Sequence, residues 1–258
     1  DYLSHGYKEL TIPPGPGGTH RMVKHALHIW PRHSFMMIAL HNPDGSFTCT
    51  LFYPFDGPAS FASLRTREDV NRFFGEQFPD AVPLMPDLAD EFFAHPTVPL
   101  VTIRCSPWHH EDRVVLVGDA CHAVVPFLGQ GMNAAFEDCT VLHNCLMEKA
   151  TDREAAFAAY EAARKEHTDT LADLAVYNFL EMRDKVGSRL FLLRKKWEIL
   201  LHKLLGGWYV PLYTLVSFTR TPYADALRRA RRQDRIVRGV LVGLALLLLT
   251  ALLWLVLR

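Results

Sequence analysis

The sequence predicts an α/β fold with α+β character, and three features of its 258 residues carry that expectation. Apolar segments separated by turn residues near the N-terminus read as an antiparallel sheet. A valine-rich run ending in Gly118-Asp119, followed by Gly129-Gln130-Gly131, reads as a strand whose polar end meets a glycine-rich helix start. Helical periodicity then dominates and closes on an uncharged apolar segment.

Composition narrows the classes. The length permits one large domain or two ordinary ones. Lys plus Arg and Asp plus Glu are both 28, so no global field points to nucleic acid. Five cysteines (Cys49, Cys105, Cys121, Cys139, Cys145) are an odd number without CxxC spacing, which fits packing residues in a reducing compartment better than a disulfide framework. Thirteen histidines include His109-His110 and His25-x-x-His28, but neither pair has ligand spacing, so no metal is expected. No nucleophile-elbow constellation is present.

Residues 25 to 31, 34 to 40 and 46 to 54 read as three strands of a meander, with Asn42-Pro-Asp-Gly45 as the turn between the last two. Alternation places Phe47, Cys49, Leu51 and Tyr53 on one face and Thr48, Thr50 and Phe52 on the other. Pro13 to Gly18 is not GxGxxG, and its prolines forbid a strand-turn-helix, so a flexible loop is expected. Thr66 to Phe78 reads as a helix behind a Thr66-x-x-Asp69 capping box, with Val70, Phe73, Phe74 and Phe78 on its apolar side.

Val114 to Val117 form a continuous apolar run, as expected for a strand covered on both faces. Asp119 would then sit in the crevice at its carboxyl end, where a carboxylate accepts hydrogen bonds from a sugar-alcohol chain. Beyond Pro126, the glycines permit close backbone approach, and the helix opening at Gly131, Met132 and Asn133 offers unpaired amides and a positive dipole end. Helices are expected over 131 to 148, 153 to 183 and much of 186 to 220. Gly239 to Leu257, about 19 residues without a charge, is long enough at about 1.5 Å per residue to cross a hydrocarbon core of ~30 Å. Arg228, Arg229, Arg231, Arg232, Arg235 and Arg238 precede it, so a single C-terminal anchor with the folded part facing the cytosol is expected, and the same arginines suit anionic head groups.

Gly118 to Cys139 resembles the second FAD fingerprint of the aromatic flavoprotein hydroxylases, within them the kynurenine-hydroxylating branch. His5 to Pro13, His28 to Leu40 and Phe47 to Phe52 are similar to that family's substrate-domain sheet, and Tyr177 to Arg183 and Val210 to Thr214 to its C-terminal helices. The resemblance implies a partial FAD-dependent aromatic hydroxylase fold: substrate-domain sheet and helix over 1–106, the C-terminal part of the FAD-binding domain over 107–165, a helical substrate-covering region over 166–236, and a transmembrane anchor over 237–258. The anchor would lie in the outer mitochondrial membrane of a eukaryote or the inner membrane of a bacterium.

The same resemblance implies FAD as cofactor, NADPH as reductant, and dioxygen and L-kynurenine as substrates, with ring hydroxylation beside the amino group. Asp119 would hold the ribityl chain, Gly118 would belong to the same cofactor site, and the amides of Gly131, Met132 and Asn133 would face the flavin ring. Pro126, Phe127 and Gln130 would line the substrate side. Asn178 and Tyr213 match residues that assist in gripping the amino-acid carboxylate. No catalytic base is implied, because the aniline nitrogen already enriches the ring. Cys121 and Leu128 stand where relatives often carry alanine and an aromatic residue or histidine, which bears on substrate preference. The first FAD fingerprint is absent and the chain opens at Asp1, so it is expected to be the C-terminal portion of a longer enzyme and to bind FAD poorly alone. Two other readings stay open: a flavin hydroxylase of a membrane-borne phenol in quinone biosynthesis, and a non-catalytic membrane-anchored module with a flavin fold.

Overall fold

Strands β1 (Tyr2–Ile12), β2 (His28–Pro31), β3 (Met36–His41), β4 (Phe47–Pro54) and β5 (Val98–Val101) build one sheet in the computed structural model, which describes residues 1–185 and 188–256. Their order is β2-β3-β4-β1-β5, and every neighbouring pair is antiparallel. This sheet belongs to the first of two compact units, made of Asp1–Arg104, His122–Phe127 and Leu174–Leu192.

The expected alternation governs how the sheet is covered. Leu10, Cys49 and Ala39 are directly opposed across three strands, as are Leu51 and Met37, so their side chains share one face. That face packs against α1 (Arg67–Gln77) and α2 (Leu88–Ala94), with Val70, Phe74, Phe78 and Phe92 buried among Leu10, Phe47, Leu51 and Tyr53. Helix α1 begins where its capping box predicts: Thr66 Oγ1 accepts from the Asp69 amide at 3.1 Å, and Asp69 Oδ2 accepts from the Thr66 amide at 3.1 Å. The opposite face is not a solvent face. Phe52, opposed to Met36 and Tyr7, is 2% exposed because a second apolar layer covers it.

The turn before β4 forms as expected: the Gly45 amide donates to the Asn42 carbonyl, and Asp44 Oδ1 accepts from both the amide and the hydroxyl of Ser46. Gly45 has φ +91°, and a Cβ there would lie 2.3 Å from the Gly18 carbonyl oxygen. The Pro13 to Gly18 segment therefore differs from the flexible loop expected of it. It is a tight turn closed by a hydrogen bond from the Gly15 amide to the Thr19 carbonyl at 2.7 Å and packed on Gly45.

The second unit comprises Cys105–Cys121, Leu128–Asp173 and Leu193–Arg258. It holds the two-residue strands β6 (His109–His110) and β7 (Val114–Val115) and the helices α4 (Gly131–Glu148), α7 (Leu212–Phe218) and α8 (Tyr223–Val256). Helices α5 (Arg153–Leu180), which ends in a π-helical turn over Glu181–Lys185, and α6 (Arg189–Leu205) each contribute residues to both units. The short helix α3 (Asp119–His122) follows β7. The rings of Trp108 and Tyr160 meet at 5.5 Å, tilted by 50°, beside Cys121 in a small core.

The strand expected over Val114 to Val117 is mostly not formed. Only Val114 and Val115 pair, antiparallel to His110 and His109, and Val114 is 53% exposed. An apolar run becomes a strand only where neighbours bond its amides, and among the described residues that pairing extends over two residues.

Among the described residues no single helix is long and apolar enough to cross a membrane. The run expected to do so forms the end of α8, with Leu247 and Leu248 exposed at 67% and 72%, and its last residue, Leu257, lies outside the described residues.

Phe74 has no exposed surface and sits in the ring cluster with Phe73, Phe78 and Phe92. Phe74→Ala is expected to destabilise the first unit by about 3–5 kcal/mol, read as a lowered denaturant midpoint at unchanged far-UV circular dichroism.

Candidate functional site

The site in the second unit is built on one glycine. Gly118 has φ +64°, a conformation that side-chain-bearing residues rarely adopt, and a Cβ there would lie 3.1 Å from the Cβ of Ala135 on α4. Its amide donates to Asp138 Oδ2 at 3.2 Å. Asp138 is fully buried in the second turn of α4, and its other oxygen accepts from Arg164 Nε at 2.7 Å. Arg164, 2% exposed and carried by α5, also pairs with Glu137 at 2.6 Å and donates to the Ala134 carbonyl at 3.3 Å. The turn that carries Asp119 and the helix that begins at Gly131 are thus one hydrogen-bonded assembly. Asp119 itself is exposed at the head of α3, free of the buried network that positions it.

Helix α4 starts without a side-chain cap. Gln130 occupies the cap position, but its Oε1 accepts from the Asn133 side chain at 3.0 Å rather than from a backbone amide. The first cap-to-helix bond is from the Ala134 amide to the Gln130 carbonyl. The amides of Gly131, Met132 and Asn133 therefore stand at the positive end of an 18-residue helix with no side chain satisfying them. Such an end accepts an anionic or carbonyl-bearing edge, which is the chemistry of a flavin pyrimidine ring. An exposed carboxylate suited to hydroxyl donors, an uncapped helix start and a glycine with no room for a side chain together fit the FAD assignment of the sequence.

Cys121 is a packing residue. Its thiol donates to the Gly118 carbonyl at 3.2 Å, and burial, reinforced by Asp138, pushes it up to about 12. A thiol so protonated is a poor nucleophile.

The residues expected on the substrate side divide between the units. Phe127 belongs to the first unit, where it stacks on Phe179 at 4.5 Å and 28° and meets Phe52 at 4.8 Å. The guanidinium of Arg183 lies 5.1 Å from the centre of the Phe179 ring, and its Nη1 is 3.3 Å from His5 Nε2. Asn178 joins this cluster: its Nδ2 donates to the Phe127 carbonyl at 2.7 Å and approaches Met182 Sδ at 3.4 Å. Both amide protons being directed to the protein, what Asn178 has left to offer is its oxygen, an acceptor. Pro126 is exposed on the adjoining 3-10 turn. Gln130 and Tyr213 belong to the second unit, where Gln130 is 9% exposed and Tyr213 is 52% exposed with its ring edge-on to Phe218 at 5.9 Å.

Four structural contributors carry no assignment from the sequence: Asp138 and Arg164, which hold the Gly118 turn, and Phe52 and Phe179, which complete the aromatic wall. Two had a signal. Asp138 is a carboxylate inside a helix four residues after Ala134, where only a buried partner justifies it, and Phe52 is the one large apolar side chain on a face otherwise occupied by threonines.

Residues 66–175 match the family described as FAD binding domain. Curated relatives are closer: the kynurenine 3-monooxygenase of Dictyostelium discoideum is 52% identical over 254 residues, covering 94% of this chain and 55% of that protein. That of Salinispora arenicola is 55% identical over 246 residues, covering 95% and 54%. The chain spans about half the length of the curated relatives it matches. Among solved structures, a 2-methyl-3-hydroxypyridine-5-carboxylic acid oxygenase superposes with a TM-score of 0.57 at 21% identity over 89% of this chain and 54% of that one. HpxO from Klebsiella pneumoniae, complexed with FAD, gives 0.56 at 19% identity over 80% and 54%. These likenesses establish the fold.

Asp138→Ala strands a buried guanidinium and is expected to cost about 3–5 kcal/mol of stability in urea titrations. Asp119→Ala, at an exposed position, is expected to leave that midpoint unmoved while lowering FAD content in the flavin-loaded protein. Unchanged flavin content would remove Asp119 from the cofactor site.

Proposed function

Because the chain belongs to the kynurenine 3-monooxygenase family, we propose that the protein carrying it hydroxylates the aromatic ring of L-kynurenine to 3-hydroxykynurenine, consuming NADPH and dioxygen with FAD as cofactor. The observation that carries this reading is the pairing of about half-identical relatives with the Gly118 turn locked onto an uncapped helix start.

FAD, when bound, would supply the redox chemistry, taking electrons from NADPH and activating dioxygen. The chain's own residues place and polarise. Asp119 would accept hydrogen bonds from the ribityl hydroxyls, and the amides of Gly131, Met132 and Asn133 would present partial positive charge to the electron-accepting edge of the ring. Phe127, supported from behind by Phe52 and Phe179, gives an aromatic substrate a flat apolar wall and helps to keep water away. Pro126, next to Phe127 in the same unit, borders that wall, and Gln130 keeps the substrate-side role that the resemblance implies. Asn178 offers its carbonyl oxygen to the substrate ammonium, a refinement of the carboxylate role expected from the resemblance, because its nitrogen is held by Phe127. Tyr213 offers a phenol to the carboxylate. No residue is assigned as a catalytic base, since the substrate amine activates its own ring.

The apolar end of α8 is proposed as a membrane anchor that leaves the folded part on the cytosolic side. Supporting this are its exposed leucines and the arginines from Arg228 to Arg238 on its polar side. A membrane-borne phenol is the substrate that would make most direct use of such an anchor, so it is the competing outcome to test.

Flavin reduction by NADPH in the full-length protein is expected to accelerate with L-kynurenine and not with a prenylated phenol; acceleration by the phenol alone would transfer the activity to quinone chemistry. Tyr213→Phe is expected to raise the KM for L-kynurenine by an amount equivalent to roughly 1–3 kcal/mol with little change in kcat. A kinetic profile identical to the parent would place Tyr213 outside the pocket.

A further inference from the structure

A cavity of about 380 Å³ opens at the foot of the apolar helix, lined by Gly207, Trp208, Arg229, Arg232, Gln233 and Ile236. The four residues from α8 are spaced by three and four, so they form one stripe facing the Gly206–Trp208 turn. Three observations point to a ligand. Arg229 is held in place by a 2.6 Å hydrogen bond from its Nη2 to the Gly207 carbonyl, which leaves its other N–H groups for a partner. Arg232 is exposed and has no side-chain partner among the described residues. Gln233, only 5% exposed, donates from Nε2 to the Trp208 carbonyl at 2.9 Å, and its Oε1 is buried with no hydrogen-bond partner among the described residues. Because a carbonyl must receive a donor, that contact fixes which end of the amide faces Trp208 and leaves an unpaired buried acceptor on a side chain that lines the cavity.

Two guanidiniums and one acceptor oxygen specify a phosphodiester whose substituent bears a hydroxyl or N–H donor. Position along the helix selects the source. Gln233 precedes the first residue of the apolar run, Gly239, by six residues, or roughly 9 Å of helix, which places it at the outer edge of a polar headgroup layer. Trp208, half exposed at the cavity mouth, has the amphipathic ring that favours the same interface.

We propose that this cavity is a headgroup site for an anionic phospholipid with a hydroxylated headgroup, of the phosphatidylglycerol type: the phosphate on Arg229 and Arg232, a headgroup hydroxyl on Gln233 Oε1. The site rests on the membrane-anchor reading above, and the experiment separates the two. The full-length protein is floated with phosphatidylcholine vesicles, then with vesicles containing phosphatidylglycerol, and lipid retained after detergent extraction is counted by native mass spectrometry. Flotation with phosphatidylcholine reports the anchor alone. Selective retention of phosphatidylglycerol, reduced about tenfold by Arg232→Gln but changed far less by Arg231→Gln, is the result expected of a site.

Equal losses from both variants would reduce the effect to general attraction of a basic stretch for an anionic surface and overturn the site. So would equal retention of the two lipids. Displacement by inorganic phosphate at concentrations that leave the protein on phosphatidylcholine vesicles would assign the cavity to a free phosphate instead. Gln233→Leu is expected to retain phosphatidylglycerol no better than phosphatidic acid, whose headgroup has no alcohol substituent; a preserved preference would remove Gln233 from recognition.

Discussion

Asp138 is the carboxylate on which the second unit turns. It is fully buried, and a buried carboxylate is tolerable only if its oxygens are satisfied. One oxygen takes the Gly118 amide and the other the Arg164 guanidinium, so the cost of burial is offset by tying a turn, α4 and α5 into a single arrangement. Arg164 spreads its remaining donors over Glu137 and Ala134, which anchors it to the first two turns of the same helix. Moving the turn by one residue would leave the Gly118 amide and one oxygen of Asp138 unmatched, while the Arg164 pairs within the helices would remain.

The field of that pair reaches its neighbours. Burial pushes the Tyr160 phenol far above its usual range, with Asp138 adding to the effect, and raises Tyr223 to about 12, with Glu137 contributing. Both phenols therefore stay neutral, and the interior around Asp138 holds its charge in one compensated cluster. The aromatic side of the first unit works differently. Phe52, Phe127 and Phe179 hold one another by ring contact, and the single polar tie from Asn178 to the Phe127 carbonyl sets the wall's position without adding charge.

What the sequence reveals follows the range of the interactions involved. The Thr66–Asp69 cap, the Asn42–Gly45 turn and the α4 and α5 starts depend on residues three or four apart, and all are legible. The Gly118 to Asn133 segment is legible as a cofactor motif because its parts are close in sequence. The 26-residue separation of Asp138 from Arg164 is not, since nothing local says which buried arginine answers which buried carboxylate. Nor is the length of β7, because a strand is defined by its partners. The tight Pro16–Gly18 turn escaped for a similar reason: it is ordered by Gly45, far along the chain.

Cys121 and Cys139 lie at opposite extremes of accessibility near the same helix. The first donates its hydrogen to the Gly118 carbonyl and stays protonated at any physiological pH; the second is exposed on α4. Under the proposed reading dioxygen would be handled beside a sulfur atom, and sulfenic acid formation begins from the thiolate. Keeping Cys121 as a bound thiol makes the turn resistant to oxidation, so peroxide or an alkylating reagent would mark Cys139 first and leave the sulfur at the Gly118 turn intact.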